Sequence, residues 1–345
     1  MKKAGLISIA FLILVTIVSS VFIGASDDAS LNIPDNTNYV FCGASQCESS
    51  FIPQIIDENL GTRSYNLSVK GLKLYGRYEL LKKVLPDYNI GTVVFDISFD
   101  TLTRAEAATG ISDMRVRRFL GKYADLSYYF FNPFSLQRLQ ENYGGLMSTG
   151  FDVLWKKTIL HLKGEYSEHN MRSCAKEHNR GFDEYSTVDV SINESGIISS
   201  FNTLEIDTEL RTDRLHTLEE CINLCKEYNA DILFVVVPVP DASIWIYNGL
   251  DKYYQEIMLL ANKYDCALYD FNLYKGRYLS YSDKSSFRDL SHMSTIGAEQ
   301  FSYDYAYIMD KVTSGEDVSE YFYSSYAELR NGSPYMDYYL AHIND

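Results

Sequence analysis

Two distant stretches of the chain hold residue types that can open an ester. Phe41-Cys42-Gly43-Ala44-Ser45 ends an apolar run in a serine, and "FRDLSHMSTIGAEQF", residues 287–301, sets Asp289 three positions before His292. A serine hydroxyl attacks an acyl carbon only when a base removes its proton. A carboxylate at that distance from a histidine can hold the imidazole in one tautomer and leave the other nitrogen to act as that base. The roles would be nucleophile for Ser45, general base and then acid for His292, and orienting carboxylate for Asp289. Gly43, without a side chain, permits the sharp turn that presents Ser45. Each piece alone has a plainer reading: a turn serine, and a capped loop before a helix whose N-cap is Ser294. Their joint occurrence points to chemistry.

Other candidates carry weaker patterns. Cys42 and Cys47 flank Ser45 but lie in apolar context and off the turn position. His161, His169 and His178 lack i, i+4 spacing and no CxxC occurs, so neither a metal nor another cofactor is expected. Cys42, Cys47, Cys174, Cys221, Cys225 and Cys266 leave disulfide pairing open, although Cys221 and Cys225 suit helix packing better than bridging. Asn66, Asp96 and Asp100 fall at predicted strand ends, where they can bond a sugar or simply shape a turn or face water.

The elements that must position these groups alternate. Tyr39–Cys42, Arg63–Ser68, Gly91–Ser98, Asp231–Val237 and Ala267–Asp270 read as strands, and "DILFVVV" has the continuous apolar character of a strand covered on both faces. Helices are expected over Phe51–Leu60, over Leu72–Leu85 with Pro86 as the stop, over about Ile246–Tyr264, and after Ser294. Such alternation predicts the α/β class with a doubly wound parallel sheet, in which ligands bind beyond the carboxyl ends of the strands. Ser45 falls there. An insertion, about 101–206, separates strands three and four; its first half looks helical and its second half reads as a polar surface excursion. After residue 314 comes a Tyr-rich acidic tail, 315–345, with helical spacing in "VSEYFYSSYAEL".

Ala4–Ala25 follow Met1-Lys2-Lys3 as 22 uncharged, mostly apolar residues. About 20 such residues cross a bilayer core, and the run exceeds the roughly 7–15 of a signal-peptide core. A signal anchor over 1–25 is expected, with a cleaved signal peptide as the alternative. Lys2 and Lys3 before the run, and Asp27-Asp28 after it, put the N-terminus in the cytoplasm and the rest outside. A polar linker, 26–36, then leads to a main domain over 37–314. The net charge of −15 argues against nucleic acid or polyphosphate partners.

Taken together, the blocks resemble the SGNH/GDSL hydrolase superfamily. Gly43-Ala44-Ser45 matches its first block, which carries the nucleophile. Asn66-Leu67-Ser68-Val69-Lys70-Gly71 resembles the second, whose glycine lends an N–H to the oxyanion hole. Asp289-Leu290-Ser291-His292, with the downstream Ile296-Gly297-Ala298, matches the last. The similarity runs from about Tyr39 to Val312 outside the insertion. It is greatest to the membrane-anchored bacterial branch related to the D-alanine transfer protein of teichoic acid modification and to alginate acetyltransfer proteins. The third block, Gly-x-Asn-Asp, is missing: Phe95–Asp100 reads "FDISFD". Beside Gly71 and the backbone of Ser45, Ser98 or another backbone N–H is left as the further oxyanion donor. Losing one such donor costs about 2.7–4 kcal/mol of transition-state stabilisation.

The resemblance implies a three-layer α/β/α, flavodoxin-like domain behind a single N-terminal transmembrane helix. It also implies a Ser45–His292–Asp289 triad without a cofactor, an acyl-enzyme, and transfer of the acyl group to water or a sugar hydroxyl. O-acyl esters of cell-envelope glycans are the substrate class it suggests, with a membrane-bound acyltransferase as partner. Two further functions fit the same residues. A non-catalytic glycan-binding or assembly protein accommodates the missing asparagine, and a lipid-directed esterase accommodates a tether close to the bilayer.

Overall fold

Short runs rich in valine and aromatic residues form the central strands, and the longer periodic segments between them form helices. The computed structural model describes residues 33–99, 101–103, 180, 182, 204–276, 284–289 and 291–332. Along these the order is β1 (Tyr39–Cys42), α1 (Ser45–Glu48), α2 (Pro53–Leu60), β2 (Ser64–Asn66), α3 (Leu74–Asp87), β3 (Thr92–Asp96) and β4 (Leu204–Glu205). Then follow α4 (Thr212–Glu227), β5 (Asp231–Val236), α5 (Asp241–Ile246), β6 (Tyr247–Asn248), α6 (Leu250–Tyr264), β7 (Ala267–Asp270), α7 (Thr295–Thr313) and α8 (Tyr326–Gly332). Single 3₁₀ turns lie at Lys284–Ser286 and Ser319–Tyr321.

The expected parallel α/β sheet is present. Its five strands run in the order β2-β1-β3-β5-β7, all pairs parallel. Strand alternation sends successive side chains to opposite faces. On one face Tyr39, Phe41, Val94, Leu233 and Val235 pack with Ile56 of α2 and Phe301, Tyr305 and Ile308 of α7. On the other, the guanidinium of Arg77 in α3 lies 5.6 Å from the Phe95 ring centre, and α3 packs along α4.

The aromatic side of the core fixes where α7 sits. Phe41 and Phe51 stack at 4.2 Å, and Tyr305 meets them edge-on at 5.7 and 5.1 Å. The Tyr39 and Tyr305 hydroxyls share a buried hydrogen bond of 2.6 Å. A buried hydroxyl without a partner costs about 1–3 kcal/mol, so sliding α7 along β1 is penalised twice, in packing and in polarity.

Several sequence expectations need correcting at element ends. α3 runs past Pro86 to Asp87. A proline in the last turn forfeits one hydrogen bond of a helix that is ending anyway. The helix expected from Ile246 begins at Leu250, because Gly249 takes a left-handed φ of 96° and separates it from α5 and β6. β4 and β6 pair as a small second sheet that no run of residues announced. The C-terminal stretch is only partly a tail. Val318, Tyr326 and Leu329 are buried, Tyr321 and Tyr323 bond the backbone of Lys275 and Leu273 at 2.8 Å, and the Tyr326 hydroxyl donates to Asp270 at 2.7 Å. Residues 333–345, the predicted membrane segment, most of the linker and all but residues 101–103, 180, 182 and 204–206 of the insertion lie outside the described residues. Among the described residues no helix is long and apolar enough to cross a membrane.

One glycine is a sharp test of this packing. A Cβ on Gly297 would come within 1.9 Å of the Ser286 carbonyl oxygen, a backbone atom that cannot rotate away, whereas on Gly91 its nearest neighbour is 3.6 Å distant. Gly297→Ala is expected to destabilise the fold by about 1–3 kcal/mol, as overpacking does, and Gly91→Ala far less. Thermal unfolding of the two variants measures the difference; equal melting temperatures would contradict the packing described.

Candidate active site

Ser45 owes its place to what precedes it. β1 ends at Cys42, and the chain turns at Gly43 so tightly that a Cβ there would lie 2.3 Å from Cys47 Cβ and 3.0 Å from Asp96 Cβ. Only glycine fits between these neighbours. Ser45 is the first residue of α1, and opening amides of a helix have no acceptor within it. The hydroxyl and the outward amide therefore emerge together, at the carboxyl end of the sheet.

His292 arrives from the other end of the chain on a pinned loop. Phe287 and Met293, both buried, pair across it in an antiparallel bridge, and Arg288 N–H donates to the His292 carbonyl at 2.8 Å. Ser294 closes the loop as the N-cap of α7: its hydroxyl accepts from Gly297 N–H at 3.2 Å and donates to the Ser285 carbonyl at 2.6 Å. With both flanks fixed, the imidazole has little freedom except about its own side-chain torsions.

Asp289 organises the turn and the ring together. Its Oδ1 accepts from the backbone N–H groups of Ser291 and His292, each at 2.9 Å, and from the Ser291 hydroxyl at 3.1 Å. Both carboxylate oxygens lie 2.9 Å from His292 Nδ1. A carboxylate only accepts, so Nδ1 carries the proton and Nε2 presents its lone pair. That lone pair faces Ser45 Oγ at 2.8 Å. Partial burial pushes the Asp289 carboxyl up, but the Ser291 N–H, the His292 ring and the His292 N–H outweigh it and hold it below its ordinary 3.8.

The remaining sequence candidates divide. Gly71, with a left-handed φ of 70°, lines the same cleft as Ser45 and His292, and its amide makes no hydrogen bond to the described chain. Ser98 does not line that cleft among the described residues; its hydroxyl and amide donate to Asp96 Oδ1 at 2.5 and 3.1 Å. That geometry gives no support to Ser98 as an oxyanion donor. Asp96 is buried, and its Oδ1 holds this turn. Asn66 is buried as well: its amide reaches the carbonyls of Cys47, Glu48 and Phe51 at 3.1–3.4 Å, and its oxygen accepts from Ser68 N–H. It braces the nucleophile turn from beneath. Asp100 lies outside the described residues.

The flanking thiols are poorly suited to nucleophilic work. Cys42 is fully buried, and desolvation raises its pKa to about 12 despite Arg77 nearby; Cys47 is raised well above the ordinary value for the same reason. Both are unbridged, as are Cys221, Cys225 and Cys266.

The cleft itself measures about 680 Å³, and Phe99 and Tyr247 form one wall with ring centres 5.0 Å apart. Ser291, Arg77 and Arg214 belong to this region and were not singled out from sequence. The signal for the arginines was available: each falls on the apolar stripe of its helix, with Leu74, Leu81 and Val84 in α3 and with Leu218, Cys221 and Cys225 in α4. A cation there is out of pattern.

A carboxyl held low in the folded state contributes stability that is complete above its unfolded value and fades as pH falls through the lowered one. Asp289→Asn is therefore expected to lower the melting temperature at neutral pH, with the gap to the parent closing below the ordinary 3.8. Melting curves at a series of pH values test this, and a gap independent of pH would refute the assignment. No protein-family model matches the chain, and no curated protein matches it in sequence.

Proposed function

We propose that this protein is a serine esterase or O-acyltransferase of the SGNH/GDSL type. One observation carries the reading: Ser45 Oγ, His292 Nε2, His292 Nδ1 and Asp289 form a relay with spacings of 2.8 and 2.9 Å, built from segments 247 positions apart. The strand order β2-β1-β3-β5-β7, with helix pairs on opposite faces, supports the finer description as a three-layer α/β/α, flavodoxin-like domain.

In this mechanism Ser45 Oγ attacks the ester carbonyl while Nε2 takes its proton. Asp289 keeps the resulting imidazolium oriented and stabilised. The amides of Gly71 and Ser45 donate hydrogen bonds to the oxyanion, and collapse expels the alcohol, which leaves with the proton from Nε2. Water or a second hydroxyl then attacks the acyl-serine by the same steps in reverse.

The apolar stretch Ala4–Ala25 supports a tethered, extracytoplasmic placement, where O-acyl groups on cell-envelope glycans are the substrate class. The Phe99–Tyr247 wall supports the glycan choice, since aromatic faces pack well against sugar rings. A membrane-bound acyltransferase supplying the acyl group is the partner this arrangement suggests.

The missing third-block asparagine favours a second reading, a glycan-binding protein that keeps the fold without turnover. Labelling separates the two. A fluorophosphonate is expected to modify the protein at Ser45 and to leave Ser45→Ala unlabelled, and Asp289→Asn is expected to lower kcat on a chromogenic acetyl ester by about 10⁴-fold. An unlabelled parent protein, or a Ser45→Ala variant with full esterase activity, would defeat the enzymatic reading.

A further inference from the structure

The cleft is cationic in a strongly acidic chain. Its charged lining residues, besides His292, are Lys73, Arg77, Arg214 and Asp207 among those described, whereas the chain as a whole carries −15. Both arginines are only 3 % exposed. They occupy first turns: Arg77 is the fourth residue of α3 and Arg214 the third of α4, and these helices pack side by side. Helices that cross over a parallel sheet run against its strands, so these ends lie at the edge where Ser45 emerges.

Arg77 is the informative member. One of its nitrogens, Nη1, donates to the Asp96 carbonyl at 2.5 Å, and its plane lies near the Phe95 ring. Its Nε is buried with no hydrogen-bond partner, and no carboxylate pairs with it among the described residues. Arg214 has the Asp213 carboxylate 4.0 Å from its Nε. Asp207 turns one oxygen to the Glu209 N–H at 3.0 Å. Burying a guanidinium without a counter-charge is costly, and the cost is recovered when an anion enters. Guanidinium forks match carboxylate and phosphate oxygens in particular. The overall acidity that disfavours a polyanion does not oppose one such group held inside this cleft.

We propose that Arg77, with Lys73 and Arg214, binds an anionic oxygen group, a carboxylate or a phosphate, on the ester that Ser45 attacks. The inference rests on the proposed esterase reading for its chemistry, but not for its binding test. In productive binding the anion lies against Arg77 and the acyl carbon lies over Ser45, so the cleft selects charged esters over neutral ones of the same length.

The test uses the full chain carrying Ser45→Ala, which removes turnover. Calorimetry with inorganic phosphate, monomethyl succinate and dimethyl succinate separates phosphate, carboxylate and neutral ester. At least one anion is expected to bind, the neutral diester more weakly. Adding Arg77→Gln is expected to weaken anion binding about tenfold or more, the loss of one charge-assisted hydrogen bond, with Arg77→Lys recovering part of it. Lys73→Gln, at a half-buried position, is expected to weaken it several-fold and decides the matter should Arg77→Gln fail to give a native circular-dichroism spectrum. No anion binding to Ser45→Ala, or binding unchanged in folded Arg77→Gln and in Lys73→Gln, overturns the proposal. Fluorophosphonate labelling of the parent protein reads the esterase assignment separately, so either can fail without the other.

Discussion

A hydrogen bond of 2.8 Å between Ser45 and His292 sets the tolerance for the whole molecule. Such a bond weakens within a few tenths of an ångström, yet its two ends belong to the first strand's turn and to the loop before the last long helix. Two supports hold it. Under the serine, Gly43 lets β1 and α1 approach to contact, and Asn66 ties three carbonyls of the same turn together. Under the histidine, Phe287 and Met293 sink into the core on either side, and α7 is locked to β1 by the Tyr39–Tyr305 hydroxyl pair. The aromatic core and the polar site are thus one mechanical unit. Contacts that look like ordinary packing also fix the distance between oxygen and nitrogen.

Much of this was legible from residue order. The central strands β1, β3 and β5 were readable because each is a compact, mostly apolar run, and the carboxylate–imidazole spacing was readable because Asp289 and His292 lie on one local turn. What escaped depends on long-range pairing. β4 and β6 have two residues each and acquire a strand's identity only from one another. Ser98 and Asp96 are plausible site residues by position, but a carboxylate two residues before a serine satisfied it locally, and both turned inward. Asn66 was ambiguous for the same reason: a polar residue at a strand end is a ligand or a brace, and only the carbonyls around it decide. Arg77 and Arg214 were visible as cations on apolar stripes, but their convergence required knowing that α3 and α4 are neighbours.

The site also shows how burial sorts chemically capable groups. Three nucleophilic side chains lie within six residues of one another: Cys42, Ser45 and Cys47. The two thiols are sealed, and desolvation keeps them protonated. The serine is partly exposed and faces an acceptor that a carboxylate has oriented. Intrinsic reactivity favours sulfur, whereas solvent access and the neighbouring imidazole favour the hydroxyl.

The outer border of β2 has its own consequence. Its Ser64 amide donates to Asp57 Oδ1 at 2.7 Å and its Asn66 amide to the Arg180 carbonyl at 2.9 Å, while the Arg180 side chain pairs with Asp57. A border strand with unclaimed amides is a template on which another polypeptide can add itself and begin to aggregate. Here a residue returning from the long insertion occupies that template. Arg180 therefore guards this border, and shortening the chain across it would uncover the Asn66 amide and leave Asp57 without its cation.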